Sequence, residues 1–451
     1  MRMKEKLLVP LLLSFSVFIS QQASGQTELK NLIGYALEHS HDVKKAEYQL
    51  QESSYMVKEA RGHGLPQVEG SASSSKMMFK NIEIPASAYS MIPAEYSPIL
   101  DKLSSIDKFY STSAAVQVTQ LIYSQSYWIG LNAAKKTREL YSILKTKSEE
   151  EIIAEVADGY YQAGSLILQV QTINKSIKNL KEIFRIADLN YKNDFIKESD
   201  VNRLKVTITN LETTQKTLQN GIYIQMNYLK ALAGIPSDST ISIDAESLVN
   251  NFDIRTSKAN FKIEDVPSYQ ALTKQAEVYE QQTKLSKAEY YPTLAAFGKY
   301  SFTSGGTSFN LDSWNKMSTI GLNLSIPIFK SGVTRSKVRR SQLQHFQINE
   351  DIAKSKELLK IAFDNAQSAY QTAQEQLIVQ KDNRELAQKV YQQTLLQYQE
   401  GMASMADLLN VNSDFLQADN SYNQQVLKCK TSEIQMLKAS GNLKRLVSQK
   451  Q

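Results

Sequence analysis

The four histidines of this chain are the side chains best suited to acid–base or metal chemistry, and their spacing favours neither. His39 and His41 are two positions apart, so on a helix they point in different directions and cannot form the i, i+4 pair that holds a metal ion. His63 and His345 stand alone. No grouping of serine, histidine and acid has a recognisable spacing. We therefore expect no catalytic residues, no cofactor and no metal site, and a protein that is not an enzyme.

The sulfur-bearing side chains suggest a second kind of chemistry. Met402 and Met405 lie close in sequence, and thioethers favour Cu(I), so passage of a soft metal ion is one interpretation. The alternative is that these methionines are flexible fillers of a hydrophobic core. Cys429 is the single cysteine, which excludes a disulfide within the chain. In the internal repeat described next, Cys429 matches Ile222, which belongs to a stripe of apolar residues along a helix. We therefore expect a buried thiol that acts as a small hydrophobe.

Two aspartates occupy matching positions in an internal repeat. A shift of 207 positions superimposes one part of the chain on another, and Asp200 falls on Asp407. Each aspartate stands where a new stripe of regularly spaced apolar residues, or seam, begins, which indicates the start of a helix. An acid in the first turn of a helix interacts favourably with the helix dipole. The matching pairs are Leu189 and Leu396, Tyr191 and Tyr398, Asp200 and Asp407, Val201 and Leu408, and Gly234 and Gly441.

Long helices must position these aspartates, because apolar residues recur with alternating spacings of three and four. The first stretch, from Gln125 to Leu189, lacks proline and is about 65 residues, or near 100 Å of helix. A short polar break at 192–194 precedes the second seam, and a short connection makes the two helices antiparallel neighbours. The seams contain Leu166, Val170, Ile173, Ile177, Leu180, Phe184 and Ala187; Val201, Leu204, Ile208, Leu211, Leu218, Ile222, Leu229 and Leu232; Leu359, Phe363, Ala366, Tyr370, Ala373 and Leu377; and Leu408, Val411, Phe415, Ala418, Tyr422 and Met436.

Segments with a period of two precede each outgoing helix and indicate β-strands. The first runs over 66–73, and the others alternate apolar with polar or small residues. We expect the apolar face to meet lipid and the other to meet water, with hairpin loops over Met77–Tyr110 and Thr303–Met317. The apolar members are Ala114, Val116 and Val118; Leu294, Ala296, Gly298, Tyr300 and Phe302; and Ile320, Leu322, Leu324 and Ile326.

The chain is therefore mainly α with a small β part, in four sequential segments. Residues 1–25 read as a signal peptide, with basic residues before an apolar run too short to span a membrane. The first repeat covers 26–234, an equatorial linker covers 235–265, and the second repeat covers 266–451. Four strands cannot close a barrel, since about eight are the minimum, so several chains must share one.

The net charge argues against nucleic acid as a partner. It is +6 and falls to +4 without the three basic residues and one acid of the leader. A basic cluster that includes Arg335 and Arg339 follows the last strand, without the interleaved aromatics of a nucleic-acid surface. Such a cluster at a helix start suits the neighbourhood of anionic lipid.

The chain resembles the TolC-like outer-membrane efflux protein family over its whole mature length. The short strings that carry this resemblance are specific only in combination. They are Leu65-Pro66-Gln67, Tyr291-Pro292-Thr293, Ile326-Pro327-Ile328-Phe329-Lys330-Ser331-Gly332 and Gly401-Met402-Ala403-Ser404-Met405-Ala406-Asp407-Leu408-Leu409.

The resemblance implies a homotrimer in the bacterial outer membrane. Each chain would contribute four strands to a twelve-stranded transmembrane β-barrel and antiparallel coiled-coil helices to an α-barrel in the periplasm. A periplasmic adaptor and an inner-membrane pump of the RND or ABC type would dock there, and the channel would supply the passive exit duct.

The resemblance also implies which residues line the aperture. Asp407 matches a position in a ring of carboxylates, and Asn410 stands where many relatives carry a second acid. Tyr398 matches a position that helps to hold the closed state, and the usual basic partner is replaced by Ala403. Three copies of Asp407 around a narrow pore would attract cations. Both Asp407 and Asp200 can instead be acids that start a helix.

The function implied is thus an exit duct of a tripartite efflux or secretion system, gated at its periplasmic helical end by a helix shift between two states. Two alternatives stay open. One is a helical scaffold at the cell surface that conducts nothing. The other is a porin that works without a pump.

Overall fold

A computed structural model describes residues 28–79, 84–99, 106–245, 261–444 and 446. The expected signal peptide at 1–25 and much of the expected linker, 246–260, lie outside the described residues. The helices are α1 Leu29–His39, α2 His41–Gly62, α3 Ala86–Ser90, α4 Gln125–Lys192, α5 Glu198–Ala233, α6 Pro267–Ala288, α7 Val333–Gln399 and α8 Met405–Ala439; the strands are β1 Gln67–Met78, β2 Lys108–Ser124, β3 Thr293–Gly306 and β4 Asn315–Ser325. Short 3₁₀ turns lie at Ala94–Tyr96 and Ile263–Asp265.

The elements of the two halves have matching lengths. Helices α2 and α6 both have 22 residues, α4 and α7 have 68 and 67, and α5 and α8 have 36 and 35. At 1.5 Å per residue, α4 and α7 are each about 100 Å long. The mainly helical fold with one small sheet, predicted from the two periodicities, is confirmed.

Local chemistry sets where the long helices begin and end. The amide of Tyr127 donates to Ser124 Oγ at 3.2 Å, which caps the first turn of α4. The chain leaves α4 through Asp194, whose φ of 60° is left-handed. Before α7, Ser331 and Gly332 have φ of 44° and 76°, so the strand turns sharply into the helix.

One compact unit comprises 48–144 and 270–354 and contains the sheet. Its strands are antiparallel in the order β1-β2-β3-β4. The pairing registers join Val68 to Val118, Val118 to Gly298, and Gly298 to Ile320, so these four residues share one face. A register irregularity between Leu121 and Tyr123 places Tyr123 opposite Leu294, on the face that even-numbered residues of β2 occupy before it.

The two faces of this sheet differ as the alternation predicted. The apolar members of one face are Val68, Gly70, Ala72, Ala114, Val116, Val118, Leu294, Ala296, Gly298, Tyr300, Phe302, Ile320, Leu322 and Leu324. The same face, which we call the apolar face, also carries the uncharged polar residues Ser74, Thr112, Gln120, Ser304 and Ser318. On the opposite face, Glu69, Gln117, Lys299 and Thr319 form one polar row across all four strands. Ile320 is 90% exposed within the protomer, so the apolar face has no cover there.

The strands reach further than expected, and the hairpin connections are correspondingly shorter. They cover 79–107 and 307–314, whereas Met77–Tyr110 and Thr303–Met317 were expected. Serine hydroxyls explain part of this difference, because Ser73 and Ser113 hydrogen-bond across the strands at 2.9 Å, as do Ser74 and Thr112 at 3.0 Å. The serine run at 73–75 and the glycine pair at 305–306 thus lie in paired strands.

The other unit comprises the described residues of 1–47, 145–269 and 355–451 and is helical. Its interior is divided into three apolar cores, and the predicted seams supply many of their residues. Leu180 and Leu204 of the first two seams are fully buried, as is Leu408 of the fourth. Within the part of the chain that the structure describes, no helix combines the length and the apolar character needed to cross a membrane.

Candidate functional site

The turn between α7 and α8 places the predicted aperture residues, and a capping box fixes its geometry. Gly401 has φ of 76°, which lets the chain reverse after α7. Ser404 Oγ accepts from the Asp407 amide at 3.1 Å, and Asp407 Oδ2 accepts from the Ser404 amide at 3.1 Å. The Ser404 hydroxyl donates to the same carboxylate oxygen at 2.6 Å. Asp407 is thus a helix-starting acid with reciprocal hydrogen bonds.

Asp407 is also exposed to solvent in the protomer, and so is Asn410 one helical turn away on the same side of α8. The hydrogen bonds from the Ser404 side chain and backbone hold the pKa of Asp407 below its ordinary value of 3.8. The carboxylate is therefore charged at neutral pH. Asp407 both caps the helix and presents a negative charge. The role of a helix-starting acid and the role of an aperture carboxylate are therefore compatible in this residue.

The matching turn between α4 and α5 is built differently. The residue before α5, Lys197, makes no side-chain capping bond, and Asp200 lies half-buried in the first turn. Burial raises the pKa of Tyr398, and the negative charge of Asp200 raises it further. The charge of Asp200 thus acts on Tyr398, although the two turns are far apart in sequence. Asp407 is not part of that pair.

A single apolar core anchors both turns. Ile183 and Ala187 of α4 pack with Val201 of α5, and Met405 and Leu408 of α8 close the same cluster. Tyr398 packs against this core as a partly buried member. A rotation of α8 would consequently disturb packing under both turns at once.

Sequence reasoning missed the most buried charged group of α8. Asp419 is only 2% exposed, and its carboxylate is fully engaged. Oδ1 accepts from Arg384 Nε at 2.5 Å, and Oδ2 accepts from Thr172 Oγ1 at 2.7 Å and from Asn423 Nδ2 at 3.0 Å. These four residues, which we call the Asp419 network, join α4, α7 and α8.

A second buried polar contact lies two helical turns from the Asp419 network. Ser176 Oγ donates to Asn412 Oδ1 at 3.0 Å, and both side chains are buried. The signal was present in the sequence, because the heptad seam of α8 passes through Asn412 and Asp419 with spacings of three and four. That spacing runs through Met405, Leu408, Asn412, Phe415, Asp419, Tyr422, Val426 and Cys429. The predicted members Ala418 and Met436 are also buried, and Val411 packs against the core, but the prediction left out the polar members Asn412 and Asp419 of the buried face.

The sulfur-bearing side chains differ in their exposure to solvent. Met402 is exposed, whereas Met405 lies in the core beneath the turn, so the two thioethers do not face one space. Cys429 is fully buried beside Phe363 and Tyr370, as predicted. Burial raises the pKa of its thiol to about 11, and Glu433 adds to that shift. Among the described residues, no three His, Cys, Asp or Glu side chains are grouped so that they could hold a metal ion.

Comparison with known proteins identifies the family. The pattern of the family described as Outer membrane efflux protein matches residues 32–234 and 263–442. The outer membrane protein TolC of Salmonella enteritidis is 20% identical over 269 residues, which are 53% of this chain and 51% of that protein. The match thus spans about half the length of this relative.

Solved structures share the fold at low sequence identity. The CmeC outer membrane channel of Campylobacter jejuni has a TM-score of 0.73 at 16% identity, covering 92% of this chain and 85% of that one. The outer membrane protein VceC of Vibrio cholerae has a TM-score of 0.72 at 16% identity, covering 92% of this chain and 96% of that one. These neighbours combine an α-barrel with a β-barrel, as expected for this chain.

These matches, the long paired helices and the two-faced sheet define the class, because the fold is that of outer-membrane channels, which are not enzymes. The chain belongs to the outer membrane efflux protein family. It is a protein of the bacterial outer membrane, with its helical part in the periplasm.

Proposed function

We propose that this chain is the outer-membrane exit duct of a tripartite efflux or secretion system and works as a homotrimer. A periplasmic adaptor and an inner-membrane pump of the RND or ABC type would be its partners. The duct is passive, so the energy for transport comes from the pump.

One observation supports this proposal more than any other. The sheet has two edge strands, β1 and β4, that lack an outer partner among the described residues, and one of its faces is apolar and uncovered. Free edges and an exposed apolar face are both unfavourable in water. Pairing β4 of one copy with β1 of the next removes the edges, and lipid covers the apolar face.

The height of the apolar face fits this arrangement. On β3 it runs from Leu294 to Phe302, which is about 27 Å at roughly 3.3 Å per residue. A strand tilt of about 40° reduces this to roughly 20 Å, close to the apolar band of about 25 Å on outer-membrane barrels. Three copies give twelve strands, well above the minimum for closure.

The periplasmic turns are the proposed gate. Asp407 and Asn410 would line the aperture, where three exposed carboxylates favour cations. Tyr398, which packs on the core shared by the two turns, would help to hold the closed state, and Ala403 supplies no basic partner there. Partners that bind the inner end would shift α7 and α8 into a second arrangement.

Matched arginine substitutions on β4 test the membrane topology. Leu322 lies on the apolar face, and its neighbour Asn323 lies on the opposite face. Leu322→Arg should abolish heat-resistant oligomers in the outer membrane, since an arginine facing lipid costs about 2–4 kcal/mol near the midplane. Asn323→Arg should assemble normally. Equal assembly of both variants would refute the placement of the two faces.

Conductance and co-purification separate the candidate functions. An exit duct should be nearly closed in a planar bilayer and should co-purify with an adaptor and an inner-membrane transporter. Robust conductance without partners would favour a porin instead. A chain that stays monomeric and soluble without detergent would favour a scaffold.

A further inference from the structure

Every charged residue on the apolar face of the four strands is a lysine, which membrane insertion alone does not require. The strands contain five charged residues, namely Glu69, Lys76, Lys108, Lys299 and Lys316. By the pairing registers, Glu69 and Lys299 lie in one row of the polar face. The other three, all lysines, lie on the apolar face, which carries no carboxylate on any strand.

These three lysines also share one end of the sheet. We call it the distal end, because it holds the hairpin connections 79–107 and 307–314 and not the junctions with the long helices. Lys76 is the third residue from the end of β1, Lys108 begins β2, and Lys316 is the second residue of β4. In the proposed orientation the distal end lies at the outer leaflet.

Lys76 and Lys108 are near neighbours with an aromatic residue between them. Lys76 pairs directly with Tyr110, and Lys108 pairs with Met78. The two lysines are therefore diagonal across β1 and β2, a separation of about 7–8 Å. Lys76 Nζ lies 5.6 Å from the centroid of the Tyr110 ring, and that ring packs edge-on against Phe309 at 6.1 Å.

The three ammonium groups are exposed, and the structure records no ion pair for any of them with a carboxylate of the described residues. A lysine facing lipid is unfavourable unless its ammonium reaches the headgroup layer or an anion. Toward the helices, the next row of the same face is Ser74, Thr112 and Ser304, and Ser74 and Thr112 hydrogen-bond to each other at 3.0 Å. Beyond that row the face continues as Ala72, Ala114 and Phe302, which suits acyl chains. The site therefore has a cationic end and an apolar end, separated by one row of hydroxyl groups.

We propose that Lys76, Lys108 and Tyr110 form a binding site for a phosphate-bearing lipid of the outer leaflet, with Lys316 as a further contact. This inference rests on the proposed function, in which the apolar face meets lipid. The two ammonium groups contact the phosphate, the Tyr110 ring lies at the headgroup level, and the acyl chains lie along the apolar face.

The test uses the assembled channel in detergent and lipid A, a diphosphorylated acylated disaccharide, as the probe. Retained lipid is counted by native mass spectrometry for the wild-type channel and for the Lys76→Gln/Lys108→Gln variant. The variant should bind about 30-fold more weakly, the factor expected from about 1 kcal/mol for each lysine. Lys299→Gln, which removes a lysine from the opposite face of the same sheet, should bind like the wild type.

Two further probes separate the sources of affinity. Dephosphorylated lipid A should bind as weakly to the wild type as lipid A binds to the double variant. Millimolar inorganic phosphate should not displace lipid A, because it lacks the acyl chains. Equal retention by the double variant and the wild type, equal binding of the dephosphorylated lipid, or displacement by phosphate would each overturn the inference.

The assembly state keeps this test distinct from that of the proposed function. The double variant should still form heat-resistant oligomers, since its substitutions lie at the rim and leave the apolar rows intact. If the oligomers persist without lipid retention in the wild type, only the lipid site is refuted. If the wild type forms no oligomer, the proposed function is refuted, and the lipid site, which rests on it, is refuted as well.

Discussion

Thr172 of α4 donates a 2.7 Å hydrogen bond to Asp419 of α8, although 247 positions separate them in sequence. The same carboxylate binds Arg384 of α7, so one buried acid holds three long helices together. A buried carboxylate is tolerated only when it is paired and hydrogen-bonded. This contact fixes the lengthwise alignment of α8 against α4, well inside the helical unit and away from the aperture turns.

We expect Arg384→Gln to lower the thermal unfolding midpoint of the assembled channel. The substitution leaves the Asp419 charge buried without its cation, which costs about 3–5 kcal/mol for a fully buried pair. We expect roughly 2–3 kcal/mol here, because 34% of the Arg384 side chain is exposed. Arg185→Gln is the matched control. It breaks the exposed pair with Glu182 within α4 and should change stability by less than about 0.5 kcal/mol.

The double variant Arg384→Gln/Asp419→Asn should recover part of the lost stability, since it removes the unpaired charge along with its partner. A midpoint for Arg384→Gln that matches that of Arg185→Gln would contradict a structural role for the network.

Variants of the second turn separate the two roles of Asp407. Asp407→Asn removes the charge but keeps an oxygen that can accept from the Ser404 amide, whereas Ser404→Ala removes the cap and keeps the charge. Cation preference of the closed pore should fall in Asp407→Asn, and in Asp407→Ala, because the ring of charge is lost. It should persist in Ser404→Ala, whose helix loses about 1 kcal/mol of capping energy.

Single-channel reversal potentials in a salt gradient measure that preference. If neutralising Asp407 leaves ion selectivity unchanged, Asp407 only caps the helix and does not line the aperture.

Two glycines with similar left-handed backbone angles differ in the space available for a side chain, so their alanine variants can be compared. Gly441 and Gly401 have left-handed φ of 68° and 76°. A methyl group on Gly401 would meet no atom within 4 Å, but on Gly441 it would overlap the carbonyl of Asp265. Gly401→Ala should thus cost only the left-handed conformation, about 1–2 kcal/mol, and Gly441→Ala should cost clearly more. Thermal unfolding checks the order, and equal midpoints would show that the Asp265 segment yields freely.

Cys429 should be unreactive in the folded protein. The thiolate is the reactive form, and burial raises the pKa of this thiol from 9.0 to about 11. The protonated thiol favours the folded state, so this contribution to stability is complete below pH 9 and is lost as the pH rises through 11. Labelling with a thiol reagent at pH 8 should be slow until a denaturant is added. Rapid labelling without denaturant would mean that the core around Phe363 opens readily.

The sequence was informative where one helix face decides burial. Leu180, Leu204 and Leu408 follow the spacing of three and four, and each is buried as predicted. Strand faces were equally clear, since Leu322 and Asn323 alternate across β4 as the period of two requires. In both cases the pattern within one element suffices.

Features that depend on contacts with a second element could not be predicted from the sequence. Asp419 can be buried because Thr172 and Arg384 meet it from other helices, and no local rule predicts that meeting. The extended hairpins depend on hydroxyl pairs such as Ser73 with Ser113, which only strand register creates. The influence of the Asp200 charge on Tyr398 likewise follows from how two turns pack on a common core.

The unpaired outer edges of β1 and β4 have a genetic consequence if three chains close one ring. Every ring then contains three junctions of β4 with β1, and a single subunit with a damaged edge spoils the closure for its two neighbours. When damaged and intact subunits are made in equal amounts and mix at random, only about one ring in eight consists of intact copies. Alleles that block edge pairing on one side alone should therefore be dominant, whereas alleles that prevent export of the chain should be recessive.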